Sequence, residues 1–183
     1  MFVDCIIIHG SFGSPYQNWA PWLYRQLTEQ GQKVLVPHFT ADEMQNLSTW
    51  TEIMSGYSSL IGPKTNVVAH SLGPAFVVDW FAKTGVKANH FVAVAPFYGL
   101  IDIPEFDAVN RTFFADKKLI DAAARRFSKV TCIYSDNDPY VPIELSNEFS
   151  LRIGASVEVI PGGAHLNSSA GFDEFPLLLE MLG

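Results

Sequence analysis

Ser71 sits at the centre of the pentapeptide Ala69-His70-Ser71-Leu72-Gly73, between the apolar pair Val67-Val68 and a stretch of helical periodicity. A serine hydroxyl is a poor nucleophile near neutral pH. Chemistry at such a residue needs a tight strand-to-helix turn that exposes the oxygen, and a base beside it. Small residues two before and two after the serine allow the turn to close; the pattern is GxSxG, with Ala69 standing in the first glycine's place. The base, and the carboxylate that fixes its tautomer, meet the serine in space and can be distant in sequence. Two later segments offer them: Ser135-Asp136-Asn137-Asp138-Pro139-Tyr140-Val141-Pro142 and Pro161-Gly162-Gly163-Ala164-His165. Each follows an apolar run of strand length.

Of the five histidines, His165 has the placement that a base requires. The Gly162-Gly163 pair is expected to form a flexible loop that lets it reach across to Ser71. His70 adjoins the serine, but neighbouring side chains on a turn diverge, so it reads as a packing or turn residue. His9 ends the first strand, His38 follows the second, and His90 falls at the amino end of the fourth. Asp136 and Asp138 both qualify as the acid, and both are also ordinary turn formers. A tetrahedral oxyanion would need two backbone N–H donors. Leu72, after the nucleophile, supplies one; the loop His9-Gly10-Ser11-Phe12-Gly13-Ser14-Pro15 supplies the other, with Ser11 favoured and Gly10 next. A glycine-rich loop could cradle a phosphate instead, but neither GxGxxG nor GxxxxGKS/T is present. Cys5 and Cys132 lie far apart, there is no HExxH, and the histidines lack ligand spacing, so neither a metal nor a cofactor is expected.

These residues depend on a framework to bring them together. Apolar, β-branched runs at Val3–His9, Lys33–Pro37, Thr65–His70, His90–Ala95, Val130–Tyr134 and Ser156–Ile160 read as six strands. Their apolar residues are consecutive, as in Ile6-Ile7-Ile8, which is the signature of a parallel sheet covered on both faces. Helical stripes lie between them: Trp19, Trp22, Leu23 and Leu27; Leu47, Trp50, Met54, Tyr57 and Ile61; Phe76, Val77, Trp80 and Phe81. A further stripe, Leu119, Ile120, Ala123, Ala124 and Phe127, opens at Asp116 and closes at Arg125-Arg126, and a last one carries Leu178, Leu179 and Leu182 behind Pro176. Strands alternating with helices give right-handed crossovers and a three-layer α/β sandwich. In such sheets ligands bind beyond the carboxyl ends of the strands, where every candidate named above falls. The aromatic stretch Pro96 to Asp116, with Phe97, Tyr98, Phe106, Phe113 and Phe114, is the least regular and is expected to border a cleft.

The bulk properties fit this plan. A chain of 183 residues, 48% hydrophobic, suits one domain spanning 1–183 with a single core. A net charge of −7 argues against nucleic-acid binding. Cys5 and Cys132 lie inside apolar strands and are expected as buried free thiols. With no basic leader and no apolar run of membrane length, the expectation is a cytoplasmic protein that engages no membrane.

With these motifs in place, the chain resembles the small single-domain serine hydrolases, the family of bacterial YdeN and retinoblastoma-binding protein nine within the α/β-hydrolase superfamily. The likeness rests on His9-Gly10, Trp19-Ala20-Pro21-Trp22-Leu23, Val68-Ala69-His70-Ser71-Leu72-Gly73, Asp136-Asn137-Asp138-Pro139-Tyr140-Val141-Pro142 and Gly162-Gly163-Ala164-His165-Leu166-Asn167, and covers nearly the whole length. It implies an α/β-hydrolase core and a Ser-His-Asp triad in the order Ser71, Asp138, His165. Asp138 is preferred over Asp136 because Asp-Pro-Tyr-Val-Pro has the DxxVP form of many such enzymes. The expected activity is hydrolysis of short or medium acyl esters through an acyl-serine, since about twenty residues between the fourth strand and the Asp116 helix leave no room for a cap domain. The alternative is a protein-interaction module that keeps the fold with little or no catalysis, its protein partner unknown. A peptidase, an acyltransferase or a cofactor-free perhydrolase would use the same parts, whereas a dehalogenase would need an aspartate in place of Ser71.

Overall fold

A computed structural model describes residues 1–42, 45–114 and 116–183. Six strands, β1 (Cys5–Ile8), β2 (Val34–Leu35), β3 (Asn66–His70), β4 (Ala88–Val94), β5 (Phe127–Ser135) and β6 (Ser156–Ile160), form one sheet in the order β2-β1-β3-β4-β5-β6. Every neighbouring pair is parallel. The chain runs outward from β1 to β2, then crosses back to β3 and continues the other way. The reversal opens a crevice between the carboxyl ends of β1 and β3, where Ile8 pairs with Ala69.

Alternation of side chains along the strands builds two cores. Ile6, Ile8, Val67, Ala69, Phe91, Ala93 and Cys132 face one side. There they meet α2 (Leu47–Ser55) through Trp50 and Met54, α3 (Gly73–Thr84) through Phe76 and Trp80, α5 (Lys118–Ala124) through Ile120 and Ala123, and α6 (Ile143–Ile153) through Phe149 and Ile153. Cys5, Ile7, Val68, Val92, Val94 and Ile133 face the other side, under Leu23 and Leu27 of α1 (Ala20–Glu29) and Leu178 and Leu182 of α7 (Pro176–Leu182). The result is the three-layer sandwich with no cap; β4 and β5 are joined by α4 (Pro104–Asn110), a 3-10 turn at Arg111–Phe113, and α5.

Several expectations are corrected. The covered-sheet reading holds for β1, β3 and β4 but not for β6, the edge strand, where Val157 and Val159 are exposed and the layers above and below the sheet no longer cover both faces. Phe127 belongs to β5, not to the preceding helix. The stretch from Pro96 to Asp116 contains α4 and a 3-10 turn, Ala115 lying outside the described residues. Most of its aromatics serve the core: Phe97, Tyr98 and Phe113 are buried. Helix α6 has no counterpart among the stripes read from sequence, because its buried face carries Ser146 and Ser150, which weaken the apolar period. Their hydroxyls are satisfied by the carbonyls of Pro96 and Ser146. Cys5 and Cys132 are free and buried, and burial pushes each thiol up to about 12. Among the described residues no helix is long and apolar enough to cross a membrane.

Candidate active site

Strand β3 ends at His70, and the chain then turns through Ser71 at φ 58°, a left-handed conformation uncommon outside glycine, before α3 begins at Gly73. The strained residue is held by its N–H, which donates to the Val94 carbonyl at 2.8 Å. Close packing explains the small residues around it. A Cβ on Gly10 would lie 2.7 Å from the Ser71 Cβ, and one on Gly73 would lie 3.0 Å from the His9 carbonyl oxygen. Ala69 is wholly buried, and its methyl fits the core beneath the turn, so glycine is not required there. Ser71 itself is only partly buried and open to a ligand.

His165 arrives from the loop after β6. Its Nε2 lies 3.1 Å from Ser71 Oγ, and its Nδ1 lies 2.7 Å from Asp138 Oδ2. Asp138 is held in turn: its Oδ1 accepts from the N–H groups of Tyr140 and Val141, at 2.9 and 3.0 Å. A carboxylate that accepts at Nδ1 leaves the Nε2 lone pair facing the serine hydroxyl, which is the tautomer a general base requires. Asp136 takes a different part. Its Oδ1 accepts from the Gly162 N–H, and Asn137 Oδ1 accepts from the Ala164 N–H, both at 2.8 Å. The Ser135 hydroxyl donates to the Ala164 carbonyl. The loop carrying His165 is therefore pinned at three points, a correction to the flexible loop expected from its glycines. Gly162 is there for its φ of 69°, and Gly163 for close contact, since a Cβ would meet Leu166 Cδ2 at 2.6 Å.

Two residues outside the sequence-derived set grip the same loop from behind. His70 Nε2 lies 3.0 Å from the His165 carbonyl oxygen and donates to it, while the two rings pack 4.9 Å apart. Trp19 Nε1 donates to the Leu166 carbonyl at 3.1 Å. Burial, and then the neighbouring His165, push His70 down to about 3, so it stays neutral. His9 is also neutral: burial lowers it, its Nε2 accepts from the Phe39 N–H at 3.2 Å, and Nδ1 donates to the Gly10 carbonyl at 2.8 Å. His90 lies in the amino half of β4, bonded to Thr131.

Across the crevice, the loop after β1 brings Gly10 beside Ser71, with Ser11 next along the chain. Among the described residues the N–H groups of Ser11 and Leu72 have no hydrogen-bond partner. Leu72 precedes α3, so its N–H is among those that a helix start leaves free. The Ser11 hydroxyl donates to Asn110 Oδ1 at 2.7 Å. Phe12, Phe106 and Tyr140 form a chain of rings along the rim, 5.5 and 5.9 Å apart, ending 5.0 Å from His165. Of the aromatics expected at a cleft, only Phe106 does this. Beside the same loop, a hollow of about 260 Å³ opens between Pro15, Tyr16, Pro21, Tyr24 and Val36, and neither Ser71 nor His165 lines it. Among the described residues no three His, Cys, Asp or Glu side chains converge as a metal would require.

The Serine hydrolase family model matches residues 5–183. This chain belongs to that family. It is 25% identical over 179 residues to YdeN of Bacillus subtilis (strain 168), covering 96% of this chain and 92% of that protein. The crystal structure of the B. subtilis ydeN gene product superposes with a TM-score of 0.89 at 23% identity, over 97% of this chain and 95% of the other. The fold is also that of a monoacylglycerol lipase from Paleococcus ferrophilus, with TM-score 0.66, 14% identity, and 99% and 95% of the two chains covered. Family membership makes the protein a hydrolase on an α/β-hydrolase scaffold.

Proposed function

We propose that this serine hydrolase cleaves carboxylic esters through an acyl-serine intermediate, with Ser71 as nucleophile, His165 as general base and acid, and Asp138 as the group that orients His165. The observation that carries the reading is the unbroken line from Asp138 Oδ2 through His165 to Ser71 Oγ, at 2.7 and 3.1 Å. Ser71 Oγ attacks the ester carbonyl carbon as its proton passes to His165 Nε2; the C–O bond to the leaving alcohol then breaks, and that proton goes to the alcohol oxygen. Water repeats the sequence, its proton passing through His165 back to Ser71 Oγ as the acid departs. The N–H groups of Leu72 and Ser11 stabilise the oxyanion in both steps.

The aromatic rim of Phe12, Phe106 and Tyr140, with no cap above it, suits short or medium acyl esters, or an ester exposed on a larger molecule. An ester is also what the name of the monoacylglycerol lipase with this fold puts first among substrates to test. The purified protein is assayed with p-nitrophenyl esters of increasing chain length and with a fluorophosphonate probe, beside Ser71→Ala. Turnover and labelling that vanish in Ser71→Ala, with an optimum at short or medium chains, are expected. Turnover unchanged in the variant, or a probe adduct on another residue, sinks the assignment; absence of both activities in the wild type favours a binding module.

A further inference from the structure

Three polar side chains, far apart in sequence, meet behind the loop that follows β1. Ser11 comes from that loop, Gln45 from the segment before α2, and Asn110 from the end of α4. Gln45 is 3% exposed and Asn110 1%, so both amides are cut off from water. The Phe12 N–H donates to Gln45 Oε1 at 3.0 Å, Gln45 Nε2 donates to Asn110 Oδ1 at 2.8 Å, and the Ser11 hydroxyl donates to the same Asn110 oxygen at 2.7 Å.

The direction of this chain is dictated by its first member. A backbone N–H can only donate, so the Gln45 oxygen must face Phe12; the Gln45 amide group must then face Asn110, which must present its oxygen. That order leaves Asn110 Nδ2 buried without a partner among the described residues. Buried orphan donors are rare and unfavourable. A hydrocarbon side chain would fill the same space without one, but it could not accept from Ser11 and Gln45 together. Phe12 shows what is being held: its φ of 53° is left-handed, a conformation a phenylalanine keeps only when its surroundings impose it. The segment also lies tight against the nucleophile, with the Cβ position of Gly10 3.3 Å from Ser71 Oγ.

We infer that Asn110 and Gln45 are positioning residues that aim the Ser11 N–H at the oxyanion by clamping Ser11 and Phe12 from behind. The inference rests on the ester-hydrolase reading above. Neither residue touches substrate. Their contribution appears where charge develops on the carbonyl oxygen and not in ground-state binding.

The test uses the full chain and the best p-nitrophenyl ester, with a trifluoromethyl ketone of matching acyl group, which forms a tetrahedral adduct on Ser71, and the corresponding carboxamide, which does not. Gln45→Leu and Asn110→Leu are each expected to lower kcat about 10- to 100-fold, short of the roughly 10²- to 10³-fold loss for deleting a whole oxyanion donor. KM stays within about twofold. The ketone weakens by the same factor as kcat, while carboxamide binding does not move. Far-ultraviolet circular dichroism and a thermal melt establish that the variants are folded. Should the leucine variants fail to fold, Ser11→Ala removes one of the bonds at a less buried position, and a fall in kcat of about fivefold, mirrored by the ketone, is the expected result. Folded variants with unchanged kcat, or with KM and carboxamide binding altered and the ketone-to-carboxamide ratio preserved, overturn the inference. A wild-type protein without Ser71-dependent turnover overturns the ester-hydrolase reading instead, and is seen before any clamp variant is made.

Discussion

Two imidazole–hydroxyl pairs stand at opposite ends of the sheet. At the carboxyl edge, His165 Nε2 faces Ser71 Oγ at 3.1 Å; toward the amino end, His90 Nε2 faces Thr131 Oγ1 at 2.9 Å. Judged by the pair alone, the second is the better hydrogen bond. What separates them is the third group and the access. His165 has a carboxylate on its other nitrogen, whereas the charge that acts on His90 is the Lys129 ammonium, of the wrong sign. Only a full negative charge stabilises the imidazolium formed when the hydroxyl proton is taken. Thr131 is also 4% exposed, inside β5, and is bonded to Ser156 Oγ at 3.0 Å; Ser71 stands on a strained turn in the crevice. An imidazole beside a hydroxyl is thus a common structural contact, and a charged partner with an open approach turns it toward chemistry.

The contrast can be broken or sharpened at both ends. The largest effect belongs to Ser71→Ala, expected to lower kcat by roughly 10⁶-fold, as nucleophile deletions in serine hydrolases do. Asp138→Asn follows, at about 10⁴-fold in kcat, because an amide can hold the wrong tautomer and carries no charge. Asp136→Asn should cost far less, since it holds the loop and not the ring; a steady-state assay in which Asp136→Asn matches Asp138→Asn would refute the division of labour between them.

At the amino end, Thr131→Val should leave kcat within about twofold while destabilising the fold by about 1–3 kcal/mol, the cost of leaving His90 Nε2 unpaired. Urea melts measure the second quantity, and a large loss of activity in a folded variant would erase the distinction between the pairs. The smallest effect is on pH dependence. Burial lowers the pKa of His9, His70 and His90 below the ordinary 6.5, His70 to about 3. Between the folded and unfolded values the unfolded chain binds more protons, so stability falls as the pH drops below about 6.5 and is unaffected by these groups above it. The melting temperature should therefore decline from pH 7 to 4.5, and His90→Gln should make that decline shallower. A His90→Gln slope equal to or steeper than wild type would show that His90 is not held neutral by the fold.

Much of the framework was legible in the chain. Consecutive apolar residues in β1, β3 and β4 report a sheet covered on both faces, because burial leaves no polar face to alternate. The spacing around Ser71 reports a turn, since Gly73 and Gly10 are set by contacts under 3.2 Å that any side chain would violate. Helix α6 stayed hidden because two residues of its buried face are serines, whose burial is made tolerable by carbonyl partners that only the fold supplies. The split of the aromatics was equally hidden, for Phe106 and Phe113 are the same residue type, yet Phe113 is fully buried while Phe106 is only partly so and reaches the rim.

By itself the sequence determined the alternation of strands and helices, hence the parallel sheet, and hence that Ser71, His165, both aspartates and the Gly10-Ser11 loop share one edge. These follow from local periodicity, which each segment carries without knowing its neighbours. Only the tertiary structure decided which aspartate faces His165, that Asp136 and Asn137 pin its loop, and that Gln45 and Asn110 meet behind Ser11. Asp138 owes part of its aim to the local N–H groups of Tyr140 and Val141. Its bond to His165, and the bonds of Asp136, Asn137, Gln45 and Asn110, join groups 26 to 99 residues apart, a separation across which no local pattern reaches.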